Sequence, residues 1–347
     1  MKKNLFYLIW FIGIGTISVM LWKFFPISSK PASTESISNE MVGTGSKLDE
    51  PIQPIPLEIR LDQRKVAVGG RLFHDARLSH DNTINCAKCH NLSQGGVDGL
   101  SHSIGTNASV GDVNALTVYN SGLNFKQFWD GRAETLEDQV NGPTQHPKEM
   151  ASNWTEIIGK LKEDKDYVSS FGELYPDGIT SQNVRDAIAT FERKLITPNA
   201  RFDRYLRGDM NAITQDEKAG YRLFKNFGCV VCHQGVNVGG NMFQTLGKFG
   251  NYFDDRGNAQ KADWGRFNVT GNERDRYKFK VPTLRNVELT APYFHDGTQT
   301  TLESAVQTMA KYQLGRPLSN EETDLIVKFL KTLTGEYEGN SLGGSSS

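Results

Sequence analysis

Cys86-Ala87-Lys88-Cys89-His90 and Cys229-Val230-Val231-Cys232-His233 hold all four cysteines of the 347-residue chain in two copies of one pattern. Cysteine pairs alone are compatible with a disulfide or a zinc site. Here each pair is followed at once by one of only seven histidines, and C-x-x-C-H is the attachment signature of c-type haem. The spacing has a physical reason. Two thioethers fix one edge of the macrocycle, and the next residue then reaches the iron as the proximal imidazole. Cys86, Cys89, Cys229 and Cys232 are therefore read as the attachment residues of two covalent haems, with His90 and His233 as their proximal ligands.

The flanking sequence reads as helix. Thr214-x-x-Glu217 is a capping box ahead of Tyr221, Leu223, Phe224 and Phe227, so a helix leads into Cys229. Thr300-x-x-Glu303 and Ser319-x-x-Glu322 open two more, the last carrying Leu325, Ile326, Phe329, Leu330 and Leu333. Ser181 can cap a helix with Val184, Ile188, Phe191 and Leu195 on one face, and no convincing alternating strand lies between Leu57 and Arg207. The expected fold is mainly α: two cytochrome c-like domains, residues 56–205 and 206–335, with one haem each. The 34 glycines suit long loops held by a bound cofactor.

Composition excludes other classes. With 39 basic against 40 acidic residues and a net charge of -1, the chain lacks the basic excess of a nucleic-acid binder. Its 37% hydrophobic and 23% charged content is that of a folded chain. At the N-terminus Lys2 and Lys3 precede Leu5 to Trp22, a run without charge. A helix there rises about 1.5 Å per residue and nearly crosses a ~30 Å hydrocarbon layer. Bulky Leu21-Trp22-Lys23-Phe24-Phe25 follows in place of a small-x-small cleavage site, so residues 1–25 are expected to be an uncleaved anchor in the inner membrane, the body facing the bacterial periplasm. Residues 26–55, poor in large apolar side chains, are expected to be a flexible linker, and the Gly/Ser-rich residues 336–347 a disordered tail.

What each haem does depends on its second axial position. A Met ligand suits electron transfer, whereas an open position admits a small molecule. For the second haem Met242 and Met309 are both available, and for the first His74, His80, His102 and His146 are. Periodicity does not choose among them.

From Leu57 to Thr334 the chain resembles the bacterial dihaem cytochrome c peroxidases. The resemblance rests on Arg77-Leu78-Ser79, Gly95-Gly96-Val97-Asp98, Gln127-Phe128-Trp129-Asp130-Gly131-Arg132 and the run from Gly142-Pro143 to Glu149-Met150. It continues through Gly265-Arg266-Phe267, Lys280-Val281-Pro282-Thr283-Leu284-Arg285-Asn286, Ala291-Pro292-Tyr293-Phe294-His295-Asp296-Gly297 and the Met309 helix. It implies reduction of hydrogen peroxide to water at the N-terminal haem, with electrons entering through the C-terminal haem. It also implies Met309 opposite His233, Trp129 between the haems, Glu149 as the distal acid–base group, Gln139 as a pocket amide and His295 in a structural role. A Ca²⁺ ion near the domain interface would be held by Asn114, Thr290 and Pro292, although the family's Asn-Ser-Pro reads Asn114-Ala115-Leu116 here.

One departure bears on mechanism. Most members carry a His in a Ser-Ile-Gly-His run after the first motif, where it caps the peroxidatic iron until the other haem is reduced. Here the run reads Ser103-Ile104-Gly105-Thr106. The expectation is an iron open without reductive activation, with His102 as the rival ligand. Competing functions are an oxidase acting on a protein substrate, as MauG does with Tyr where this chain has Met309, and a non-catalytic dihaem electron carrier. The donor is left open between a small cytochrome c, a blue-copper protein and quinol, and family members commonly form homodimers.

Overall fold

The computed structural model describes residues 41–42 and 45–344, so the expected anchor and most of the expected linker lie outside the described residues. Among the described residues no helix is long and apolar enough to cross a membrane. The chain opens with β1 (Met41–Val42) paired antiparallel to β2 (Glu58–Ile59), then α1 (Gln63–Phe73), α2 (Cys86–Cys89), α3 (Leu136–Gln139), α4 (Asn141–Gln145) and α5 (Trp154–Lys162). α6 (Lys165–Leu174), α7 (Ser181–Lys194), α8 (Arg201–Leu206) and α9 (Gln215–Asn226) follow. The antiparallel strands β3 (Phe243–Thr245) and β4 (Lys278–Lys280) enclose α10 (Tyr252–Arg256) and α11 (Phe267–Thr270). The end of the chain is α12 (Leu302–Met309), a π-helical turn at Ala310–Leu314, α13 (Asn320–Lys331) and a hairpin of β5 (Glu336–Tyr337) with β6 (Asn340–Ser341).

The mainly helical expectation holds, and the two halves repeat one device. α1 crosses α7 at Gly69, where a Cβ would lie 1.9 Å from the Ala187 carbonyl oxygen; α9 crosses α13 at Gly220, where it would lie 1.9 Å from that of Leu325. Only glycine permits this approach, which lets the facing side chains interdigitate. The sequence carries the repeat as Gly69-Gly70-Arg71-Leu72-Phe73 and Gly220-Tyr221-Arg222-Leu223-Phe224. The first lobe is built on Leu72, Ile157, Phe171, Val184 and Ile188, and the second on Phe202, Tyr221, Phe224, Ile326 and Phe329.

Capping follows the sequence closely. Thr214 with Glu217 and Ser319 with Glu322 form the expected boxes. The α12 cap is Thr301 with Ser304 rather than Thr300 with Glu303, because Gln299 is still bridged to Tyr293 and the chain stays extended one residue further. α7 is likewise capped by Thr180, with Ser181 its first helical residue.

Both expected unstructured segments are folded in part. Within the expected linker, Ile52 and Ile55 are fully buried and Ile52 bridges Gly235 in parallel. Arg285 fixes this strap: its guanidinium donates to the carbonyls of Gln53 (2.8 Å) and Val236 (2.9 Å) and pairs with Asp203 at 2.7 Å, both side chains wholly buried. Within the expected tail, Tyr337 packs on Tyr119 with ring centroids 5.3 Å apart, and Leu342 joins the same apolar cluster. α8 belongs to the second lobe, since Phe202 and Leu206 sit in its core. Where the lobes meet, Asn120 donates to Thr197 Oγ1 (2.8 Å), Asn286 donates to the same oxygen (3.1 Å), and Asn237 donates to Asn124 (2.8 Å).

Candidate haem sites and the distal pocket

Each C-x-x-C-H run forms one tight helical turn, with the histidine N–H donating to the carbonyl of the first cysteine, His90 to Cys86 (2.9 Å) and His233 to Cys229 (3.0 Å). Each imidazole then uses Nδ1 on a backbone carbonyl, His90 on Gly96 (3.2 Å) and His233 on Val238 (3.3 Å). That bond fixes the tautomer and leaves Nε2 for iron. Burial lowers the pKa of both, His233 to about 4, so each is the neutral base that a metal requires.

The surroundings suit haem better than the alternatives. The four cysteines are free thiols. Burial pushes Cys89 and Cys229 up to about 11, an environment that disfavours the thiolates of a zinc or redox site and accepts neutral thioethers. Partly buried apolar groups, Leu223, Phe227, Val230, Leu284, Phe294 and Val306 among them, gather on the second core beside Cys229 and form a cradle for a flat apolar ligand. The residues present therefore fit a haem at each motif.

Glu149 lies against the loop that follows the first motif. The Thr106 N–H donates to the Glu149 carbonyl (2.8 Å), and Gly105 passes so close that a Cβ would sit 2.1 Å from the Lys148 carbonyl oxygen. Ser103 and the Glu149 charge both act on the Cys89 thiol, so loop, acid and attachment cysteine are neighbours. Burial raises the Glu149 pKa, opposed by the charges of His146 and Arg132 and reinforced by Asp112. Thr106 is 1% exposed and its Oγ1 has no hydrogen-bond partner among the described residues. A buried unpaired hydroxyl is uncommon and points to a group that the chain alone does not supply.

The candidate histidines separate. His74 bonds the Gly70 carbonyl and His80 bonds Glu156, both exposed in turns, while His146 lies 3.5 Å from Glu149. His102 has no hydrogen bond or ion pair among the described residues and stands four residues before Thr106. Gln139 ends α3, and its amide makes no hydrogen bond among the described residues.

Trp129 and one candidate calcium ligand, Asn114, form a linked group. Trp129 Nε1 donates to the Asn114 carbonyl (2.9 Å), the Asn114 N–H to the His295 carbonyl (2.8 Å), and Asn114 Nδ2 to the Leu100 carbonyl (2.9 Å). Asn114 Oδ1 is left for another partner. The Thr290 and Pro292 carbonyls, on the segment that carries His295, also accept no hydrogen bond among the described residues. Three such oxygens are the donors a hard cation takes. His295 is buried, stacks on Phe279 at 4.4 Å and bonds Asp263 at 2.7 Å. Asp263, His295 and Asp296 cluster as metal ligands might be imagined to, but Arg256 pairs with both carboxylates at 2.5 Å, which makes the group an ion-pair network.

Met309 closes α12 directly before the π-helical turn, a distortion found mostly at functional sites. Met242 offers its carbonyl to the Val281 N–H. Two buried ionisable groups were not singled out from sequence. Glu192 lies beside Cys86, with Oε2 unpartnered and its pKa pushed by burial to about 8. The signal was present, since Glu192 falls on the α7 face of Ile188 and Leu195. Lys280 carries none, because a three-residue strand does not announce which side is covered.

The sequence profile of the di-haem cytochrome c peroxidase family matches residues 63–211. The cytochrome c peroxidase Ccp of Escherichia coli is 52% identical over 83% of this chain and 62% of its own length, so the chain spans less than two thirds of that relative. The cytochrome c551 peroxidases of Nitrosomonas europaea and Pseudomonas aeruginosa are 49% and 37% identical, each aligned over 85% of its length and over 83% and 84% of this chain. Among solved structures, a MauG-like protein associated with microbial copper homeostasis superposes with a TM-score of 0.70 at 28% identity, covering 86% of this chain and 97% of that one.

Proposed function

The chain belongs to the di-haem cytochrome c peroxidase family, and from that premise we propose that it reduces hydrogen peroxide to two waters, consuming two protons and two electrons. The observation that supports the reading is the bond from the Thr106 N–H to the Glu149 backbone carbonyl, which holds the Glu149 segment against the loop that follows the first motif, together with the upward shift of the Glu149 pKa. When bound, the haem of Cys86, Cys89 and His90 supplies the iron at which the O–O bond is reduced. Glu149 takes the proton from the inner peroxide oxygen and returns it to the leaving oxygen, and its upward shift from the ordinary carboxylate range suits both transfers. Gln139 orients the peroxide. A passive electron carrier has no use for such a pocket.

Met309 together with His233 would hold the second haem, and a Met/His pair would give it the higher potential of an electron-entry site, unlike a MauG-like oxidase. Trp129 relays electrons between the lobes, and Asn114 Oδ1 with the Thr290 and Pro292 carbonyls holds Ca²⁺ at their junction. The donor is a small redox protein or quinol, and the setting is the periplasm, with residues 1–25 as an inner-membrane anchor. Thr106 cannot cap iron as an imidazole does, so the enzyme acts without reductive activation.

Steady-state peroxide reduction by a Glu149→Gln variant tests the assignment of the acid–base group. Turnover is expected to fall by about 10² or more with haem content unchanged; full turnover would remove Glu149 from that role.

A further inference from the structure

Lys280 ends β4, and its N–H donates to the Trp129 carbonyl at 2.7 Å. Its side chain is 2% exposed, yet among the described residues its ammonium makes no hydrogen bond and no ion pair. The neighbouring cations differ: Lys278 pairs with Asp275 at 3.1 Å, and Arg266 donates to the Asp130 and Gly131 carbonyls. Across the hairpin Lys280 faces Phe243, which packs on Phe125 and under Arg266 and offers no acceptor. A cation removed from water without a counter-charge is costly and is not retained in a native interior unless something pairs it.

No carboxylate of the described residues supplies that partner, and at 2% exposure the side chain is almost wholly withdrawn from solvent. The cofactor inferred above brings its own acids, since each haem carries two propionates. We propose that Lys280 is the buried counter-charge of a haem propionate and that this pairing raises the reduction potential of that haem. The inference rests on the dihaem reading and adds to it a residue that sets redox poise rather than one that attaches haem or handles peroxide. Burial lowers the Lys280 pKa to about 8, and a carboxylate partner reverses that shift. The sign of the effect follows from charge. Reduced haem bears one positive charge fewer, so a nearby cation favours it.

The test is a spectroelectrochemical titration of both haems in the mature full-length protein and its Lys280→Met and Lys280→Arg variants, with haem counted per chain in each. Two haems per chain establishes the underlying reading independently of the potentials. The Met variant is expected to lower one midpoint so that the reduced-to-oxidised ratio of that haem, at fixed applied potential, falls about tenfold, about 59 mV for a one-electron couple. The Arg variant restores the ratio to within about threefold. A Met variant with two haems and both midpoints unmoved overturns the proposal and leaves Lys280 as packing alone. Should the Met variant mature without both haems, Lys280→Gln, which keeps a donor and loses the charge, is judged by the same criterion.

Discussion

Thr106 and Glu192 show how single side chains set the chemistry of the first lobe. Thr106 stands where the family resemblance implies a capping imidazole, and its backbone bond to Glu149 holds it beside that residue. Substituting Thr106→His is expected to create a cap: the oxidised first haem becomes low-spin, and peroxide no longer reacts until the protein is reduced. Absorption and EPR spectra before and after one-electron reduction check this. Glu192 predicts a pH dependence of stability. Burial raises its pKa from 4.5 to about 8 in the folded chain, so between those values the folded state holds a proton that the unfolded state has released. Stability therefore declines as pH rises from about 4.5 towards 8. Thermal melts of Glu192→Gln across that window are expected to lack this slope; an unchanged slope would show that Glu192 does not titrate there.

Among the elements, the long helices were legible and the short connectors were not. The caps of α9 and α13 and the apolar faces of α7, α9 and α13 follow from local rules, because a capping box and a 3.6-residue repeat are decided within a dozen residues. The strap at Ile52 and Ile55 and the terminal hairpin were not legible, because each is held by partners far away in sequence: Arg285 for the strap, and Tyr119 for the hairpin. A chain truncated after Gly335 loses the cover of Tyr337 and Leu342 over that cluster. It is expected to be destabilised by about 2 kcal/mol, roughly the burial of one large apolar side chain, with haem content intact. A chemical denaturation midpoint equal to that of the full chain would refute the role given to the hairpin.

At the scale of the whole molecule, the proposed function gives two similar lobes different tasks. Both present a histidine held through Nδ1 on a backbone carbonyl, and both cross their long helices at a glycine. They differ in the candidate residues each carries besides that histidine: the first holds Thr106 against the Glu149 backbone, whereas the second has Met309 directly ahead of a π-helical turn. The attachment residues could be read from spacing alone. The roles proposed for Glu149, Gln139 and Trp129 could not, since these are ordinary residues to which only the family pattern gives a part. Lys280 needed the fold outright.

The central claim is that the first iron is open in the resting oxidised protein because Thr106 stands where a ligand would. EPR of the as-isolated oxidised protein, followed by peroxide with no prior reduction, tests it most directly. A high-spin ferric signal that disappears when peroxide is added is expected. Two low-spin signals and no reaction would contradict it, placing another side chain, with His102 the first to examine by His102→Ala, on the iron.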